Sequence, residues 1–492
     1  MRKKVGFKFA SLSVSTPDGK ELAPKLQELL WDYLGKMRPF ETNESLDLAV
    51  FMLYCSYVSR NADELGLEDF DPNYSIDEAV DNLGNKYLAT GFVDYYAGMA
   101  SENPALPDLR GIDLRARDLS KGITTWAKSL EATGLSLMEG GGWETAAAIQ
   151  AVLGEVLASD TWGKTAGEFS SPLPIADLAA RLADVKGRSV LDFACGDGMF
   201  LATSLSNGAK TVYGRDINVG AIMRAQIMCF FADPARSHDI KAVNALSAAS
   251  ATAPVQRVLV APPIGMPLRE YDIVDPGYYG DTLSGLMGDG APHPRNFEDF
   301  CAARALESLE DGGIAVLHVS ASFLFHQHKG RAALRSAIVE KGYLRAVIEL
   351  PGGCVPGTGV KSAILVLEKK ESDGSVLIVD ADSKELTDKG YFVKGRGRCE
   401  ITDTGIDWIV QTVKNREEIS LVSTVATREQ VLDSGSNLCY SAYGSVCDFD
   451  SILDQTRSTK DIMGDIKSAQ ASIDSLSEQI VDILDSIEKK GR

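Results

Sequence analysis

The stretch from Val190 to Leu201 constrains the fold more than any other part of the chain. A short apolar run, Val190-Leu191, breaks at closely spaced glycines and then resumes as an apolar, helix-forming segment. Val190 and Leu191 read as the end of a buried parallel strand. Gly196 and Gly198 let the backbone approach a ligand where a Cβ would collide. A strand that feeds a helix through such glycines marks a cofactor loop.

The surrounding residues fit that reading. From Gly167 to about Lys370, β-branched runs alternate with helical segments. Strands are predicted at Ser189–Phe193, Thr211–Ile217, Ile240–Ala245, Arg257–Ala261, Ile314–Ser320, Leu344–Leu350 and Ser362–Leu367. Such alternation implies βαβ crossovers and an α/β fold with a doubly wound, mostly parallel sheet. Ligands in such sheets sit beyond the carboxyl ends of the strands.

About one βα unit after the glycine loop, Asp216 ends the next expected strand, where a carboxylate accepts both hydroxyls of a ribose. A dinucleotide site asks for G-x-G-x-x-G, and here the third position is Leu201. Asp192 followed by Gly196 and Gly198 suits a ligand without a pyrophosphate, namely S-adenosylmethionine.

Outside this sheet the texture differs. Residues from Glu21 to about Asp160 carry helical periodicity, with amphipathic runs at Leu26–Leu34 and Leu46–Val58. Gly140-Gly141-Gly142 has no preceding strand and reads as a plain loop. Val376–Ala381 reads as one more strand, followed by a small basic turn at Gly395-Arg396-Gly397-Arg398. Near the end, Ile462, Ile466, Ala469, Ile473, Leu476, Ile480, Ile483 and Ile487 recur at steps of four and three, a heptad seam. A helix with one narrow apolar stripe pairs with another helix of this chain or of a partner. The expected organisation is a helical N-terminal domain at 1–165, an α/β cofactor-binding domain at 166–385, a mixed connecting region at 386–447 and a C-terminal coiled-coil helix at 448–492.

Charge limits the partners. Fifty basic residues against 69 acidic ones give a net charge of −19, which excludes holding nucleic acid by bulk electrostatics. Any DNA contact comes from a local patch or from a partner. The eight cysteines are scattered without a C-x-x-C pair, so neither a disulfide framework nor a zinc site is expected. His326 and His328 stand two apart, which alone predicts no metal site. No run approaches the ~18 apolar residues of a membrane span. These features read as a reduced, cytoplasmic protein with no membrane contact.

Several segments carry a family resemblance. Gly167-Glu168-Phe169-Ser170-Ser171-Pro172 resembles the Gly-Glu-Phe-Tyr-Thr-Pro segment of modification (M) subunits of type I restriction-modification systems. Leu191 to Phe200 resembles their Asp-Pro-Ala-Cys-Gly-Thr-Gly-Gly-Phe loop, and Tyr213 to Asn218 their ribose-binding segment. Leu344 to Lys369 is similar to the segment that closes their catalytic domain. Leu30-Trp31-Asp32 and Val50–Ser59 fit the family more loosely. The resemblance implies a Rossmann-like N6-adenine DNA methyltransferase that flips its target base. It implies cofactor contacts from Glu168, Phe169, Ser171, Pro172, Asp192, Ala194, Gly196, Gly198, Asp216, Ile217 and Asn244. As partners it implies DNA and a specificity (S) subunit gripped by the C-terminal helix, and it admits a restriction/translocase subunit.

The chain departs from the family where the chemistry lies. Where the family has Asn-Pro-Pro-Phe after the fourth strand, this chain has Ala261-Pro262-Pro263-Ile264. The amide that polarises the target amino group and the ring that stacks the base are both missing. Loss of one such electrostatic contact costs ~10²–10³ in rate, and loss of base stacking ~1–3 kcal/mol. Asn244 stands where the family has an aspartate facing the adenine of the cofactor. Ala261 therefore has two readings: an engineered inactivation, or a natural pseudo-methyltransferase retained as a non-catalytic scaffold in a DNA-defence complex. The three departures together favour the natural one.

Overall fold

The computed structural model describes residues 17–37, 42–76, 86–101, 103, 106–109, 119–133, 152 and 171–444, except 234–236, 356–358 and 396–397. Glu168, Phe169, the triple glycine and the heptad seam lie outside the described residues.

Nine strands form one sheet. They are β1 (Ser189–Asp192), β2 (Thr211–Asp216), β3 (Ser237–Ala242), β4 (Val255–Val260), β5 (Leu309–Ser320), β6 (Leu344–Leu350), β7 (Ser362–Glu368), β8 (Val376–Asp380) and β11 (Ser423–Ala426). Their order is β11-β8-β6-β7-β5-β4-β1-β2-β3. All neighbours are parallel except that β7 runs against β5 and β6, and β11 against β8. Strands β9 (Phe392–Gly395) and β10 (Arg398–Ile401) make a separate antiparallel hairpin around the expected basic turn.

The period of two along each strand sorts the core into two layers. Val190, Leu259, Val316, Ile348 and Ile364 face one side. Their neighbours Leu191, Val258, Val260, Leu317, Val347 and Leu365 face the other. Both faces are thus covered, which explains why these strands are continuous apolar runs. On the first side lie helices α5 (Leu173–Leu182), α6 (Met199–Ser206) and α7 (Val219–Ala232). On the second lie α8 (Pro276–Met287), α9 (Phe297–Ser308) and α11 (Lys329–Glu340), with the short α10 (Ser322–Phe325) between α9 and α11 in sequence.

Two strand expectations shift. β3 ends at Ala242 because the Val243 amide turns to donate to the Asp216 carbonyl at 2.8 Å, and the Asn244 side chain accepts from Leu246 N at 2.9 Å. β5 begins five residues before Ile314, since Leu309 already pairs with Val255 and an irregularity around Gly312-Gly313 restores the register.

Upstream are helices α1 (Pro17–Lys36), α2 (Thr42–Arg60), α3 (Lys86–Gly98) and α4 (Leu119–Thr133). The sequence reads Leu46–Val58 as amphipathic, but every residue from Ser45 to Val58 except Asp47 is buried. A helix that is apolar all round belongs in an interior. α2 lies between its helical neighbours and α7, with Tyr54 edge-on to Phe230 at 5.5 Å and Tyr57 edge-on to Phe231 at 5.4 Å. Trp126 of α4 donates to Ser56 Oγ at 2.9 Å, which satisfies two buried polar groups at once. No helix among the described residues is long and apolar enough to cross a membrane.

Candidate functional site

The carboxyl ends of β1, β2, β4 and β5 surround a cavity of about 510 Å3. On the β1 side the chain is held by its own backbone. Asp192, buried at the strand end, accepts from Ala194 N at 3.0 Å; Cys195 N donates to the Arg215 carbonyl at 3.0 Å; Gly198 N donates to Cys195 O at 2.8 Å. Gly196 (φ +48°) has open space where a Cβ would stand and lines the cavity. Gly198 (φ +79°) does not line it. A Cβ there would meet Ala225 Cα and Cβ at 2.8 Å, so this glycine lets α7 pack against the start of α6.

Asp216 ties the two loops together. One carboxylate oxygen accepts from Gly196 N and the other from Asn218 N, both at 2.9 Å. Each oxygen keeps a lone pair for a further donor. Ile217 beside it is 72% exposed and presents a flat apolar surface to the cavity. Ser171 and Pro172, which precede α5, line the same space with Ala194 and Asn244. Because Asn244 Oδ1 is engaged by Leu246 N, its amide NH2 is the group left for a ligand.

Electrostatics define what fits. Asp192, Asp197, Asp216 and Asp272 line the cavity, and among the described residues no lysine or arginine does. Burial pushes the Asp192 carboxyl well above its usual range, the Ala194 amide opposes that, and the Asp216 charge adds to it. A cationic ligand relieves this strain, whereas a pyrophosphate aggravates it. Burial also pushes the Cys195 thiol well up, which keeps it unreactive.

Asp197 has a second attachment. Arg224 Nε donates to Asp197 Oδ1 at 2.6 Å, and Arg224 Nη1 donates to Asp47 of α2. Burial opposes the charge of Arg224, but the two carboxylates outweigh it and hold the guanidinium protonated. The cofactor loop is thereby pinned to the N-terminal helices.

On the other side, Ala261-Pro262-Pro263-Ile264 follows β4 directly, and all four residues line the cavity. The next loop is anchored by Leu268 N to Arg295 O at 3.0 Å and Phe297 N to Met266 O at 2.9 Å. It brings Met266, Leu268, Tyr271, Asp272 and Val274 to the same wall, and β5 adds His318. Sequence reasoning missed these residues, which match no motif. The one available signal was an aromatic residue seven positions past a tetrapeptide that had lost its own ring. Asp275, which follows that loop, caps α8 by accepting from Tyr278 N at 3.1 Å.

Comparison with known proteins agrees with this geometry. The family model for N-6 DNA methylases matches residues 155–450. The methylase subunit of the MpnII type I restriction enzyme from Mycoplasma pneumoniae is 24% identical over 304 residues, covering 57% of this chain and 53% of the relative. The chain thus spans about half the length of that curated relative. Among solved structures, the type I restriction-modification methyltransferase subunit from Streptococcus thermophilus superposes with a TM-score of 0.63 at 18% identity, covering 88% of this chain and 96% of that one. A chain from a study of complex assembly and conformational transition in the type I system gives 0.57 at 15% identity, covering 95% and 99%. These two likenesses establish the fold, and the match across more than half of the sequence establishes the family: the chain belongs to the N-6 DNA methylases.

Proposed function

We propose that this chain is the M subunit of a type I-like DNA modification complex, and that it binds S-adenosylmethionine in the cavity to methylate adenine N6. The observation that carries the cofactor reading is the acceptor set: four aspartates, no lysine or arginine among the described lining residues, and a ribose-side carboxylate with a free lone pair on each oxygen. Asp216 receives the ribose hydroxyls, Ile217 lies against the adenine and the Gly196 backbone gives the chain of the cofactor room. Ser171, Pro172, Asp192, Ala194 and Asn244 complete the wall, with Glu168 and Phe169 added from the family resemblance. Bound there, the cofactor supplies a methyl group on a sulfonium, a leaving group that asks for little acid-base help. At the target end the Pro262 carbonyl accepts from the amino group of the base. The acidic chain leaves phosphate contact and sequence reading to an S subunit, held by the heptad seam from Ile462 to Ile487. A restriction/translocase subunit is compatible with the same assembly.

Ala261 and Ile264 favour a second reading, a non-catalytic scaffold that keeps the cofactor pocket without transferring methyl. Two measurements separate them. Calorimetric titration with S-adenosylmethionine is expected to give saturable binding, weakened roughly 100-fold in Asp216→Ala, which leaves two loop amides without their acceptor. Absence of saturable heat in the parent chain refutes the cofactor reading. Transfer of labelled methyl to DNA is then measured with the S subunit present, for the parent chain and for Ala261→Asn/Ile264→Phe. Activity in the parent, raised ~10²–10³-fold by the double substitution, supports the enzyme. Activity in the double variant alone supports the scaffold.

A further inference from the structure

His318 and Tyr271 stand on the wall where the tetrapeptide has lost its functional side chains. Val260 of β4 pairs with Leu317 of β5, and one residue further along both strands come Ala261 and His318. Both line the cavity. Neighbouring strands lie about 4.8 Å apart, which places β5 roughly 10 Å from β1 and 14 Å from β2, on the target side of the cavity rather than the cofactor side.

His318 is only 4% exposed, and its Nε2 has no hydrogen-bond partner among the described residues. A buried, unpaired polar atom is costly and calls for a role. Burial pushes the imidazole down to about 4, so at neutral pH the ring is uncharged, with one donor and one acceptor nitrogen. The strand end that carries it is fixed. Ser320, two residues on, donates from its backbone N to the buried Glu298 at 2.6 Å and from its Oγ at 2.9 Å, and Arg331 holds the same carboxylate at 3.3 Å.

Tyr271 supplies what Ile264 lacks. Its ring is 71% exposed on a turn held by Arg269 N donating to Asp272 Oδ2 at 2.8 Å. The Arg269 guanidinium lies 5.6 Å from the ring centroid and donates to the phenol oxygen, which steadies the ring. An exposed aromatic residue beside an arginine is a platform on which bases stack.

We propose that this chain holds an extruded adenine with Tyr271 as the stacking surface and His318 as the acceptor for its amino group, in place of the side chains absent at Ile264 and Ala261. Both are positioning residues, and the assignment rests on the methyltransferase reading above. It requires no group transfer, so it applies to the enzyme and to the scaffold alike.

The test uses the full chain saturated with sinefungin, a non-reactive cofactor analogue, with 2′-deoxyadenosine titrated in by saturation-transfer NMR. Purine 2′-deoxyriboside, which lacks the amino group, is the comparison ligand. The parent is expected to prefer deoxyadenosine by about fivefold. His318→Leu brings that preference to about one, and His318→Gln keeps part of it. Tyr271→Ala weakens both ligands about tenfold, and Tyr271→Phe stays near the parent. If His318→Leu also loses sinefungin, the Tyr271 pair decides. A parent that binds sinefungin but no deoxyadenosine overturns the inference, as does Tyr271→Ala with unchanged binding or His318→Leu with the preference intact. A parent that binds no sinefungin overturns the cofactor reading itself.

Discussion

The two ends of the cavity are built by different means. At the β1–β2 end, carboxylates receive main-chain amides: Asp192 takes Ala194 N, and Asp216 takes Gly196 N and Asn218 N. At the β4–β5 end the wall is side chains with few partners: Ala261, Ile264, a widely exposed Tyr271 and a His318 whose Nε2 has no partner among the described residues. A loop whose carboxylates answer its own amides tolerates little change, because every substitution leaves a buried donor or acceptor behind. A wall of side chains changes its chemistry one residue at a time without disturbing the backbone. The loop after β1 is therefore the more constrained end, and the segment Ala261 to Ile264 the freer one.

Substitutions can break or sharpen that contrast. The largest effect is expected from Arg224→Leu, which leaves the partly buried Asp47 and Asp197 without their shared cation. A loss of about 3–5 kcal/mol is expected by denaturant unfolding, and a loss below 1 kcal/mol would mean that the cofactor end is not held as described. Acid comes next. Folded His318 stays neutral until about pH 4, whereas the unfolded imidazole protonates near 6.5. Between these values the unfolded state binds the extra proton, so stability falls with pH, by about 1.4 kcal/mol per pH unit from this group. Unfolding curves at pH 7 and pH 5 should therefore differ less for His318→Leu than for the parent, and equal differences would remove His318 from the account. The smallest effect is expected from Ile264→Phe, under about 1 kcal/mol in stability with unchanged S-adenosylmethionine affinity, because the residue is half-buried on the side-chain wall. A tenfold change in cofactor affinity would show that the two ends are not separate.

The same contrast sets what was legible in the sequence. β1, β2, β4 and β5 were readable because strands buried on both faces are unbroken apolar runs, and the clustering of Asp192, Gly196 and Asp216 at one cavity because strand ends and glycine spacing are visible in the sequence. Gly198 was readable as a necessary glycine but for another reason, since its missing side chain makes room for Ala225 of α7. α2 was recognisable as a helix and misread as amphipathic, because periodicity cannot reveal that a second layer covers its outer face. Tyr271 and His318 were not legible at all. They line one cavity only because β5 lies beside β4 in the folded sheet, and they stand 47 positions apart in the chain.

The guanidinium of Arg224 also bears on how the molecule can be divided. One cation serves an aspartate of the loop after β1 and an aspartate of the second N-terminal helix, while Phe230 and Phe231 of α7 rest on the rings of that helix. Excision of the first 133 residues would uncover that aromatic surface and leave the loop's ion pair with one counter-charge instead of two. The helical segment is therefore part of the nine-stranded sheet's own foundation, and the sheet is not a module that can be lifted out and assayed alone.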